Sequence, residues 1–113
     1  LKRLTSDWAA CDLALIENNN IMDEMKDCFK EVIRNGTDGL FLEHLLVAKQ
    51  WGFKLSDIKP EIITWHGEDD NIIPINYVKR FSDALNNRFV KYPNAGHMMI
   101  VDHWQEIFHE IVL

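Results

Sequence analysis

Along the first fifty positions, apolar residues recur at three- and four-residue intervals; beyond them the pattern changes to short β-branched runs alternating with amphipathic ones. Ser6-Asp7 is read as the cap of a first helix through Trp8, Cys11, Leu13, Ala14 and Leu15, ending near Asn18-Asn19-Asn20. Ile21, Met25, Cys28, Phe29, Val32 and Ile33 predict a second helix, with Gly36 placed where a left-handed C-terminal cap belongs. Thr37-Asp38 opens a third, carrying Leu40, Phe41, His44, Leu45, Val47 and Ala48. After Trp51-Gly52-Phe53, Asp57-Ile58-Lys59-Pro60 reads as a linker that Pro60 keeps extended. Glu61–Trp65 reads as a strand. Pro74 suits the first turn of a helix to about Leu85, whose apolar face is Tyr77, Val78, Phe81, Ala84 and Leu85. Arg88–Tyr92 alternates like an edge strand, and Trp104, Ile107, Phe108, Ile111 and Val112 mark a final helix. Strand, helix, strand, helix implies parallel pairing through a right-handed crossover.

Composition narrows this picture only modestly. A chain of 113 residues, 47% apolar and 27% charged, fits one globular domain. No apolar run approaches the roughly 18 residues that span a bilayer. The start, Leu1 to Asp7, has no signal-peptide core and no Met, so the chain is expected to begin inside a longer polypeptide. A net charge of −6 argues against nucleic acid and anionic membrane as partners, since both reward Lys/Arg clusters. Cys11 and Cys28, in apolar helical contexts, are expected to be buried free thiols, with a disulfide or metal pair as the alternative. A reducing cytoplasm fits that usage. Asp23, Glu24 and Asp27 crowd the second helix as a solvated face, because no partner ligands recur at fitting positions.

Two loops carry the candidate chemistry. The first strand runs into Trp65-His66-Gly67-Glu68-Asp69-Asp70-Asn71-Ile72-Ile73-Pro74, and the second into Ala95-Gly96-His97. In an open parallel sheet, functional groups gather beyond the carboxyl ends of the strands. A carboxylate and an imidazole on neighbouring loops are the two helper members of a hydrolytic triad. His97, with an ordinary pKa of about 6.5, suits a general base, and a carboxylate on its other nitrogen would fix the tautomer. Asp70 is favoured over Asp69 because it stands third after Gly67, which leaves Asp69 to cap the following helix. His66 reads as a packing or hydrogen-bonding residue at the strand end, and Asn94 as the holder of the turn before Gly96. His97, His103 and His109 are six apart, do not share a helical face and make no zinc site. The same spacing is also compatible with a plain βαβ unit with polar loop ends.

At these residues the chain resembles the C-terminal part of an α/β-hydrolase-fold enzyme. The shared pattern is His-Gly-x-x-Asp-x-x-x-Pro, a helix, a strand and Gly-His, here His66 to Pro74 and Gly96-His97. Trp51-Gly52-Phe53 and Asp57-Ile58-Lys59-Pro60 also resemble the segment before that strand in a branch related to proline iminopeptidase-like and esterase-like enzymes. The resemblance implies an α/β fold fragment: residues 1–50 as a helical cap remnant and residues 51–113 as the C-terminal β-α-β-α part of the core, in one structural domain. It implies Asp70 as triad acid and His97 as triad base, with no cofactor and no metal. The nucleophile has no counterpart. The family's Gly-x-Ser-x-Gly turn is not formed by Gly36, Gly39, Gly52, Gly67 or Gly96, and Ser6, Ser56 and Ser82 lack its context.

The expected function is therefore the C-terminal portion of a serine-type hydrolase of small ester or amide substrates, inactive alone. Its first partner would be the missing N-terminal part of the parent enzyme. Because a two-stranded sheet is marginal and a bare strand edge invites pairing, self-association as a homodimer or higher oligomer is also expected. Two other readings stay open: the same fold with non-serine chemistry of dehalogenase or lyase type, and a non-catalytic association module.

Overall fold

A computed structural model of the chain describes residues 6–19 and 21–112; the expectations that fall on Leu1 to Thr5, Asn20 and the side chain of Val112 lie outside the described residues. Three helices come first, α1 (Ala10–Asn18), α2 (Ile21–Val32) and α3 (Asp38–Ala48). The expected cap of α1 needs correcting. The Ser6 hydroxyl donates to the Asp7 carboxylate at 3.3 Å, and the helix begins after Ala9, which offers no side-chain cap. At the other end the Asn19 amide donates to the Leu15 carbonyl at 2.9 Å and covers one of the exposed last carbonyls. Gly36 has φ +97°, the left-handed conformation expected for it, and its N–H closes on Ile33.

The acids of α2 are solvated as expected, with Lys26 against Asp23 at 2.5 Å and Lys30 against Asp27 at 2.8 Å, all on the surface. The cysteines are not buried. Cys11, on α1, is half-buried and Cys28 is exposed, both as free thiols; Cys28 is exposed because α2 turns no residue into a closed core.

The remaining elements are β1 (Ile63–Gly67), α4 (Ile75–Leu85), β2 (Arg88–Tyr92) and α5 (Met99–Val112). Before β1, Leu55–Asp57 forms one 3-10 turn, held by the Lys54 N–H on the Asp57 carboxylate at 3.2 Å; of the expected linker only Asp57 falls in this turn, and Ile58 after it is extended. β1 and β2 pair in parallel from Ile63 opposite Arg88 to Gly67 opposite Tyr92. The first strand therefore lies two residues later than its apolar run. Glu61 and Ile62 have no partner residue in the ladder, whereas His66 and Gly67 do.

Side-chain packing around this sheet is thin. Ala95, Met99 and Ile107 are buried together, with Trp65 and Tyr92 packed against them. The inward face of α4 is Ile75, Val78, Ser82 and Leu85, whereas the expected face included Tyr77 and Phe81, which are exposed. Ser82 explains the rotation. Its hydroxyl meets the Asn87 side-chain oxygen, and the Asn87 amide donates to Thr64 Oγ at 2.9 Å. That polar chain pins α4 to the start of β1, and a buried polar group keeps its place only when so satisfied. α4 ends on Asn86, whose φ of +51° is left-handed. Among the described residues, no helix is long and apolar enough to cross a membrane.

Candidate functional site

β1 and β2 are parallel and end side by side, so the loops that leave them emerge at the same end of the sheet. Their close approach depends on Gly67. A Cβ there would run into the carbonyl oxygens of Ala95 and Gly96. Two backbone bonds lock the loops together: Glu68 N–H to the Tyr92 carbonyl and Asp69 N–H to the Ala95 carbonyl, both 2.9 Å. Asn94, with φ +57°, makes the turn that brings the second loop back.

Asp70 is 5% exposed at the centre of this arrangement. One carboxylate oxygen accepts the N–H groups of Ile72 and Ile73, each at 2.8 Å. The other lies 3.0 Å from His97 Nδ1. A carboxylate can only accept, so Nδ1 carries the proton of that bond and Nε2 is left as the basic nitrogen. Burial alone would raise the Asp70 carboxyl. The N–H of Ile73, the His97 ring and the N–H of Ile72 outweigh it, and the carboxyl is held below its ordinary value. Asp69, next in sequence, is exposed and bonds through its backbone only to the other loop, so it neither meets His97 nor caps α4. Of the two acids, the structure brings Asp70 to the histidine.

His66 sits behind the pair. Its Nε2–H donates to the Ile73 carbonyl at 2.8 Å and lies 3.6 Å from Asp70, so it braces the loop that presents the acid. This is the hydrogen-bonding position expected for it. His103 stacks on Tyr92, with ring centroids 4.1 Å apart. No group of three or more potential metal ligands occurs among the described residues.

Two residues that the sequence reading did not assign to this site also reach it, both from the first, helical part of the chain. Trp8 sets its ring edge-on to His97, with centroids 6.0 Å apart. Asp12, only 2% exposed, projects from α1 into the second loop. Its two oxygens accept the N–H of His97 at 2.9 Å and of Met98 at 2.8 Å. Those amides lie in the turn just before α5, so Asp12, from a different helix, holds the loop that leads into it and places its carboxylate near that helix's positive end. Gly96 makes the contact possible, since a Cβ there would overlap the Asp12 carboxyl. The signal in the sequence was a lone acid inside the run Ala9-Ala10-Cys11-Asp12-Leu13-Ala14-Leu15-Ile16. An ionisable group in an apolar stretch is buried only when paired. Cys11, beside it, has its thiol pushed up by burial and then by the Asp12 charge.

Ser56 stands in the exposed 3-10 turn, and Ser82 is buried at the opposite end of the sheet with Thr64. Ser6 precedes α1. No family profile matches the chain, and no solved structure matches it. One curated relative does: a protein of Acanthamoeba polyphaga mimivirus named a "putative alpha/beta hydrolase" is 38% identical over 52 residues. The match covers 43% of this chain and 20% of the relative, so the chain spans about a fifth of that protein's length.

Proposed function

We propose that this chain supplies the acid and base of a serine-type α/β hydrolase acting on small ester or amide substrates. One observation carries the reading: a buried carboxylate, anchored by two backbone N–H groups, holds the ring of a part-exposed histidine at 3.0 Å beyond the ends of two parallel strands. In this role His97 Nε2 takes a proton from a nucleophile and returns it to the leaving group. Asp70 keeps the tautomer and stabilises the imidazolium. The nucleophile and the oxyanion donors come from another part of the parent polypeptide. The name of the mimivirus relative supports the superfamily and adds nothing about substrate.

The test needs the parent polypeptide and the 113-residue chain side by side, with a series of chromogenic esters and amides. In the parent, His97→Ala and Asp70→Asn should each lower kcat by about 10³- to 10⁴-fold while circular dichroism stays unchanged. Alone, the chain should show no turnover above background. Sustained ester turnover by the pure chain that His97→Ala abolishes would overturn its role as a partial site.

Self-association belongs to the same proposal. Among the described residues β1 pairs on one side only, and Phe41 and Val47 of α3 are 66% and 74% exposed. Apolar surface of this kind favours assembly. Light scattering at micromolar concentration should give at least the mass of a dimer, and a monodisperse monomer would refute this part.

A further inference from the structure

We propose that Asp12 is the positioning residue for the candidate base: by clamping the His97 and Met98 amides it sets the imidazole against Asp70 and makes that geometry depend on the seating of α1. Four observations converge on it. Asp12 is almost fully buried, although it is an acid on a short helix. Both of its oxygens are used, one on each of two consecutive amides some 85 residues away in sequence. Gly96 leaves room for the carboxylate where any side chain would strike it. Trp8, four residues before Asp12 and just ahead of α1, sets its ring edge-on to the same ring that the clamped backbone carries.

The chemistry of the clamp explains why an acid is required there. The His97 and Met98 N–H groups stand in the turn just before α5, close to the positive end of that helix. A carboxylate satisfies both of them at once and adds a favourable charge. A neutral amide of the same shape offers one accepting oxygen and turns an N–H₂ group towards a donor. The backbone at His97 would then be free to rotate, and the ring would sample positions in which Nδ1 no longer faces Asp70. A shift of α1 would act on the same bonds, so the helical segment is mechanically tied to the imidazole.

The consequence for catalysis rests on the function proposed above, but the clamp itself is tested without turnover. In the unaltered chain, amide hydrogen exchange at His97 and Met98 should be at least about 10- to 100-fold slower than at an unbonded loop amide, the protection expected of charge-assisted bonds. Free exchange at both positions would overturn the proposal, and this measurement needs no variant. In Asp12→Asn, exchange at these two amides should rise by a similar factor. Nitrogen-15 spectra of the His97 ring should also move from the Nδ1–H tautomer towards the mixture of free imidazole. A purely stabilising role would shift the unfolding midpoint and leave the tautomer and the ring's titration unmoved, which would also overturn it. If His97→Ala leaves the parent's activity intact while Asp12→Asn loosens the loop and changes the tautomer, the clamp stands and the hydrolase reading falls. If His97→Ala abolishes activity while Asp12→Asn changes neither exchange nor tautomer, the clamp falls alone.

Discussion

The helices α2 and α3 and the β1–α4–β2–α5 unit are both rich in apolar residues, yet only the second closes around any of them. α2 and α3 contain no buried residue, and Phe41, Leu42, Leu46 and Val47 face outward. The β-α-β-α unit buries Ala95, Met99 and Ile107 and also the polar Asp70, His66 and Ser82. The difference shows that an apolar stripe is an offer of packing, and burial requires a second surface of the right shape. α1 belongs with the second group: through Ile16 and Asp12 it is buried, and Asp12 ties it to the loop after β2.

The contrast would break most plainly at the level of rate, where the thousand-fold or greater losses expected for Asp70→Asn and His97→Ala in the parent should have no equal at exposed positions of α2. At the level of stability, Ile107→Ala should cost about 2–5 kcal/mol, read by chemical denaturation. Leu46→Ser on α3 should stay within about 0.5 kcal/mol. A large loss at Leu46 would show that α3 is covered in solution. Gly67→Ala comes next, at about 1–3 kcal/mol, because its new methyl meets the carbonyls of Ala95 and Gly96, which are backbone and cannot swing aside. An unchanged midpoint for Gly67→Ala would mean that the two loops are farther apart than described.

The smallest effect is one of pH. The Asp70 carboxyl is held below its ordinary value in the folded chain, so on acidification the unfolded chain takes up that proton first. Its contribution is complete above about pH 5, where an ordinary carboxyl is ionised, and is lost as pH falls through the native value. Urea denaturation at stepped pH should show the stability gap between the wild type and Asp70→Asn narrowing below about pH 4. A gap that widens on acidification would contradict the bonding described for Asp70.

Some of this was legible in the residues because it rests on local rules. β2 spans Arg88–Tyr92 as its alternation predicts, Gly36 is left-handed, and α3 begins after Thr37. The order of elements and their parallel pairing followed from strands that alternate with a helix. The placement of Asp70 and His97 on neighbouring loops followed from the same order. Their pairing at 3.0 Å did not, since it depends on the Gly67 approach and on the turn at Asn94. The start of β1 was misjudged because an apolar run marks a strand's composition, whereas its ends are set by where the partner strand lies. The inward face of α4 departs from its apolar stripe because Ser82, outside that stripe, is buried by its bonds to Asn87 and, through it, Thr64.

The sequence by itself determined the helical segment, the parallel βαβα order and the two loops that carry an acid and a histidine, because periodicity, glycine and proline act over a few residues. The tertiary structure decided the contact itself between His97 and Asp70, the acid that the spacing favours, and it alone decided which helix faces are buried and that Asp12 holds the loop of His97. Those contacts join residues 27 and 85 positions apart. Nothing in a local pattern specifies such distances, and only the closure of the chain brings the partners together.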